Sequence, residues 1–215
     1  ERCTFSLGVP TLWFGVMDYI EANVPELERR ALKLERVLCG GSAPPRALLE
    51  RIYRTREQWN DLVEILRRKI GALTAPEDVL AAKLELAETY EDRAVDRAKA
   101  VEQYKRVLED DARNITALKG LERLYAQQEQ WQDLLDVLER QLEVVQNERD
   151  QVALLVRIAG MWEEEFLKPE KAAERLEKVV DVDPSHIQAY GGLERIYRHL
   201  HKWPELVSTY ERHVD

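Results

Sequence analysis

Of 215 residues, 41 are acidic and 32 basic, a net charge of −9 with His neutral. Hydrophobic residues make up 45%, with only 9 Gly and 8 Pro, which suits one sizeable or two small domains and not a disordered, collagen-like or low-complexity chain. The acidic balance argues against nucleic-acid binding, which needs a basic surface to displace counterions. Two cysteines, Cys3 and Cys39, make neither a disulfide framework nor a four-ligand zinc site, so a reducing, cytoplasmic compartment is expected. The apolar stretch from Phe5 to Met17 is interrupted by Ser6, Pro10 and Thr11 and is too short to span a bilayer. It lacks the flanks of a signal peptide. The chain begins at Glu1 rather than Met, which suggests a fragment or a processed chain.

The first predicted elements are a strand over Thr4–Leu7, a helix over Pro10–Glu21 and a strand over Leu34–Cys39, a βαβ-like unit. A helix through Leu27, Ala31, Leu34 and Leu38 is the rival reading. Thr4 to Trp13 reads T-x-x-x-G-V-P-T-x-W and Gly40 to Arg46 reads G-G-S-A-x-P-R. In this order the two segments resemble an internal fragment of a fatty-acyl-CoA ligase of the adenylate-forming family. The resemblance implies that Trp13 gates an acyl tunnel and that Gly40, Gly41, Ser42 and Ala43 line the acyl and adenine sites. The family's phosphate-binding loop, ribose-binding Asp and distant catalytic Lys have no counterpart in the sequence. No adenylation, no cofactor and no enzymatic activity are therefore expected. Tyr190-Gly191-Gly192-Leu193-Glu194 imitates one ligase motif by its letters but falls inside a predicted repeat helix.

From Pro44 onward the chain repeats. LERIY at Leu49–Tyr53 returns as LERLY at Leu121–Tyr125 and LERIY at Leu193–Tyr197, each 72 residues after the last. Trp59, Trp131 and Trp203 follow six residues after each tyrosine, and Leu62, Leu134 and Leu206 three residues later. Tyr53, Tyr90, Tyr125, Trp162 and Tyr197 halve the period, giving units the length of a helical hairpin. Val152–Ser185 resembles a tetratricopeptide repeat: Ala159 and Ala172 are its small residues, Trp162 its aromatic, Leu176 and Val179 its packing residues, Pro184 its closing proline. The LER[IL]Y units depart from that pattern at Glu122 or Glu194 and at Leu134 or Leu206. Wider helix spacing, with Trp131 and Trp203 buried as fillers, is expected there. The expected fold is all-α, a right-handed superhelical solenoid of about five hairpins over residues 44–215, behind a ligase-like fragment over 1–43. Without a polar capping helix at Asp215, the array is expected to continue.

Such an array is expected to bind a protein or peptide partner, not nucleic acid, without a membrane span or a metal. The histidines, His186, His199, His201 and His213, read as surface or capping residues, and Glu163-Glu164-Glu165 as a solvated face. The family resemblance puts certain first-helix positions on the concave side. They are Arg51 and Arg54, then Glu88, Glu91 and Asp92, then Lys119 and Arg123, Glu163 and Glu164, Arg195 and Arg198. Their sign alternates from unit to unit, which predicts a ladder of cross-repeat ion pairs, a docking strip for a peptide of mixed charge, or both.

Overall fold

The computed structural model describes residues 5–8, 18, 36–39, 46–93 and 96–214. From Arg46 onward the described residues form ten helices: α1 (Arg46–Thr55), α2 (Trp59–Ile70), α3 (Pro76–Asp92), α4 (Arg97–Asp110), α5 (Ile115–Gln127), α6 (Trp131–Val144), α7 (Glu148–Glu164), α8 (Pro169–Val182), α9 (Ile187–His199) and α10 (Trp203–Val214). They belong to two compact units, Glu1–Asp110 and Asp111–Asp215. Within each unit every helix packs on the next in sequence, the pattern of hairpins that cannot bury an apolar face alone.

The turns explain the period. The carbonyls of Tyr53, Tyr125 and Tyr197 accept hydrogen bonds from the N–H groups of Gln58 (2.9 Å), Gln130 (3.0 Å) and Lys202 (2.9 Å). The residue before each donor, Glu57, Glu129 or His201, has φ of 54°, 54° or 57°. This is a Schellman closure made with a side-chain-bearing residue where glycine is usual. The next helix starts directly after the donor, at Trp59, Trp131 or Trp203. Tyrosine-to-tryptophan spacing is thus the length of the turn. Leu62, Leu134 and Leu206, three residues into the helix, are the residues that reach the core.

The tryptophans do not, which corrects the expectation that Trp131 and Trp203 are buried fillers. Trp59 and Trp131 are half-buried, and Trp203 is 54% exposed. As first residues of their helices they lie beside the turn. The Arg93 guanidinium lies 5.3 Å from the Trp59 ring centroid, and the His201 ring 5.8 Å from that of Trp203. Trp131→Ala is therefore expected to cost about 1 kcal/mol, the common size for a partly buried site. Leu134→Ala, at a buried position, should cost about 2–5 kcal/mol. Urea denaturation of the two variants checks the order.

The small residues behave as expected. Ala172 is fully buried and Ala159 nearly so, and Ala87 and Ala100, one period before Ala159 and Ala172, are fully buried as well. Their hairpins, α3/α4 and α7/α8, are packed along more of their length than the LER[IL]Y hairpins. In the second unit Trp162 packs half-buried against the core cluster built around Ala159, Ala172, Val179 and Leu193. Gly192 lies inside α9, where a Cβ would come within 2.8 Å of Leu176 Cδ1. Its glycine serves close approach of α9 to α8 rather than a ligand. Asn114 and His186, one period apart, cap α5 and α9: Asn114 Oδ1 accepts from the Ala117 N–H and His186 Nδ1 from the Ala189 N–H, both at 3.1 Å.

Near the N-terminus, strands β1 (Phe5–Gly8) and β2 (Arg36–Cys39) pair in parallel, Phe5 opposite Arg36 and Gly8 opposite Cys39. The helix expected over Pro10–Glu21 lies outside the described residues except at Asp18, as does the join expected at 43–44. Two strands of four residues are marginal alone, so the pair does not establish a βαβ unit. The architecture is that of the helices.

Candidate functional site

The charged positions expected on one face belong to the first helices of the hairpins. Beside them on the same helices, Leu118, Leu121, Ala159, Leu193 and Ile196 are buried, while Lys119, Arg123, Glu164, Arg195 and Arg198 are exposed. The helical period thus divides each first helix into a core stripe and a charged stripe.

In the first unit, Arg51 donates to Asp18 Oδ1 at 2.5 Å. Arg54 pairs with Glu85 of α3, and not with Glu88, Glu91 or Asp92. Lys69 of α2 reaches Glu50 of α1 (3.2 Å) and Glu85 (3.4 Å), so one chain of charges joins three consecutive helices. Glu91 is turned to its own hairpin, accepting from the Tyr104 hydroxyl at 2.7 Å. Glu88 and Asp92 remain exposed, beside a cavity of about 590 Å³ whose wall includes Trp59 and Arg93.

In the second unit the ladder has a clear rung. Arg195 of α9 makes a bidentate contact with Glu163 of α7, at 2.5 and 2.9 Å. Arg195 is largely exposed, so this rung contributes about 0–1 kcal/mol. Arg198 instead pairs within its own helix, with Glu194 at 2.5 Å, and its guanidinium also donates to the Tyr210 hydroxyl at 3.1 Å. The Tyr210 hydroxyl and Arg198 hold the Glu194 carboxyl below its usual range. A carboxyl shifted down on folding contributes stability above its unfolded pKa, and loses it as pH falls through the folded value. Tyr210→Phe is expected to raise the Glu194 titration midpoint, read by NMR of the side-chain carboxyl.

Sequence reasoning missed a second, more buried set. Glu122 accepts from the Nε2 of Gln141 at 2.6 Å and pairs with Arg157 of the next hairpin. Gln141 is only 3% exposed. Glu122, the glutamate of the LER string read as a departure from a small residue, is the hub that links its hairpin to the next. Lys69 and Gln141 both lie nineteen residues after that glutamate, a recurrence present in the sequence. Trp13, Gly40, Gly41, Ser42 and Ala43 lie outside the described residues. Among the described residues no three His, Cys, Asp or Glu side chains converge as a metal set, and no helix is long and apolar enough to cross a membrane.

A 54-residue stretch is 43% identical to a long-chain-fatty-acid–CoA ligase of Thermus thermophilus. It makes up 25% of this chain, and the chain spans 9% of that ligase's length. Among solved structures, one of MamA is 18% identical, with a TM-score of 0.46 over 77% of this chain and 92% of that one. YrrB, described as a TPR protein with an unusual peptide-binding site, is 17% identical, with a TM-score of 0.42 over 61% of this chain and 65% of that one. BtubC (BKLC) from P. vanneervenii is 13% identical, with a TM-score of 0.44 over 95% of this chain and 86% of that one. The tetratricopeptide repeat profile matches residues 46–80, 117–152 and 189–215. Those segments begin in the LER[IL]Y hairpins, the ones the sequence pattern made less regular than Val152–Ser185. The chain carries tetratricopeptide repeats.

Proposed function

We propose that this chain is a non-enzymatic scaffold of the cytoplasm that holds a protein or peptide partner along the charged stripe of its first helices. The observation that carries the reading is the division of those helices. Core packing uses one stripe fully, while Arg54, Lys119, Arg123, Arg195 and Arg198 on α1, α5 and α9 and Glu88, Asp92 and Glu164 on α3 and α7 stand exposed on the other. Part of that charge closes on itself, as in Arg195–Glu163, while Lys119 and Glu164 face solvent. Charge of both signs suits a peptide of mixed charge, steering its approach and fixing its register.

The test is charge reversal at Lys119 and Arg123, with partner binding and thermal midpoint read on the same samples. Binding lost with the midpoint held supports the reading. A fall in midpoint with binding unchanged would make the stripe structural and place the partner elsewhere.

A second reading is favoured by the 54-residue ligase match: a ligase piece, covering residues 1–43 and βαβ-like in form, set before the repeats. It predicts no ATP–pyrophosphate exchange with any fatty acid, because phosphate-binding groups that supply most of such catalysis are missing from this sequence.

A further inference from the structure

The cavity of the first unit is lined by four carboxylates, Glu57, Glu85, Glu88 and Asp92, against two guanidiniums, Arg54 and Arg93, so its wall is net negative. Glu88 and Asp92 lie one turn apart on α3, a like-charged i,i+4 pair that works against the helix. Asp92 is also the last residue of α3, where the helix dipole opposes an anion. Neither carboxylate has a partner among the described residues, although both are exposed beside Trp59. One period on, Glu88 is replaced by Gly160 and Glu85 by Arg157, while Trp59 and Asp92 recur as Trp131 and Glu164. The hairpin fold therefore tolerates the loss of this charge. Arg93 shows what the indole accepts: its guanidinium lies 5.3 Å from the Trp59 centroid, within cation–π range. At about 590 Å³ the cavity is of the size that takes one or two long side chains.

We propose that this cavity docks the guanidinium groups of an arginine-bearing segment of the partner, with Glu88 and Asp92 as counter-charges and Trp59 as the platform. The assignment rests on the scaffold reading and gives the partner a chemistry. It predicts that arginines, rather than a partner's acidic residues, engage the first unit.

The probe is acetyl-tetra-arginine amide, titrated calorimetrically into the full chain, with the uncharged tetra-citrulline peptide as its isostere. The arginine peptide should bind and the citrulline peptide should not. Glu88→Gln/Asp92→Asn should weaken binding about tenfold, the scale of two lost charge contacts in a partly desolvated site. Its thermal midpoint should stay unchanged or rise, since the variant removes a repulsion. Asp133→Asn/Glu170→Gln removes the same charge from exposed positions elsewhere and should leave binding unaltered. No binding, equal binding of both peptides, or equal weakening by both double variants would overturn the proposal. Failure here with partner binding still lost on charge reversal at Lys119 would sink this inference and leave the scaffold reading standing. Success here with no effect at Lys119 would keep this cavity as a docking site and place the partner's other contacts away from the Lys119 stripe.

Discussion

Tyr104→Ala is expected to destabilise the first unit by about 3–5 kcal/mol, the range for truncating a buried aromatic ring. Tyr104 is fully buried in α4, and its hydroxyl donates to Glu91 on α3. Two losses combine: a ring-sized void between the helices, and the tyrosine's hydrogen bond to the Glu91 carboxylate. Tyr104→Phe separates them, since it keeps the ring; it should cost about 1.5–3 kcal/mol, as a hydrogen bond to a charged acceptor does. Denaturant unfolding gives both figures. Hydrogen exchange should show the alanine variant's damage concentrated in α3 and α4, because each hairpin leans on its sequence neighbours. Protection lost evenly along the chain would contradict a nearest-neighbour stack.

Glu122→Ala should cost about 1–3 kcal/mol, chiefly because a buried amide loses its acceptor. Gln141 is almost wholly buried and its Nε2 donates to Glu122, which also pairs with Arg157. The asymmetry of polar burial supplies a sharper test. Adding Gln141→Met to Glu122→Ala removes the orphaned group along with its lost partner, and most of the stability should return. If the double variant is as unstable as the sum of the single ones, Glu122 acts by packing and not through this network.

Much of this was legible in the sequence, for a physical reason in each case. The LER[IL]Y string and its tryptophan recur because one turn, closed on a tyrosine carbonyl with a left-handed residue, sets the distance between helices. A turn of fixed length leaves a fixed spacing, and spacing is what a sequence records. Ala159 and Ala172 were readable because close helix approach excludes larger side chains. The tryptophans were misjudged because residue type reports apolar character but not direction. At the first position of a helix, Trp131 points beside the turn while Leu134 enters the core. The ion pairs were legible only as a face. Arg195–Glu163 formed across neighbouring first helices as alternation of sign implied, yet Arg54 chose Glu85 and Arg198 chose Glu194. Partner choice among long flexible side chains depends on ångström-scale helix offsets that no spacing encodes.

The claim at the centre of the account is that the first-helix stripe is the surface a partner touches. Photo-crosslinking tests it most directly, with a benzophenone amino acid placed in turn at Lys119 and Glu164 on first helices and at Lys178 and Asp181 on a second helix. All four positions are exposed, so accessibility does not decide the result. The account predicts adducts to the same partner from Lys119 and Glu164, and none from Lys178 or Asp181. Adducts from the second-helix positions alone would contradict it.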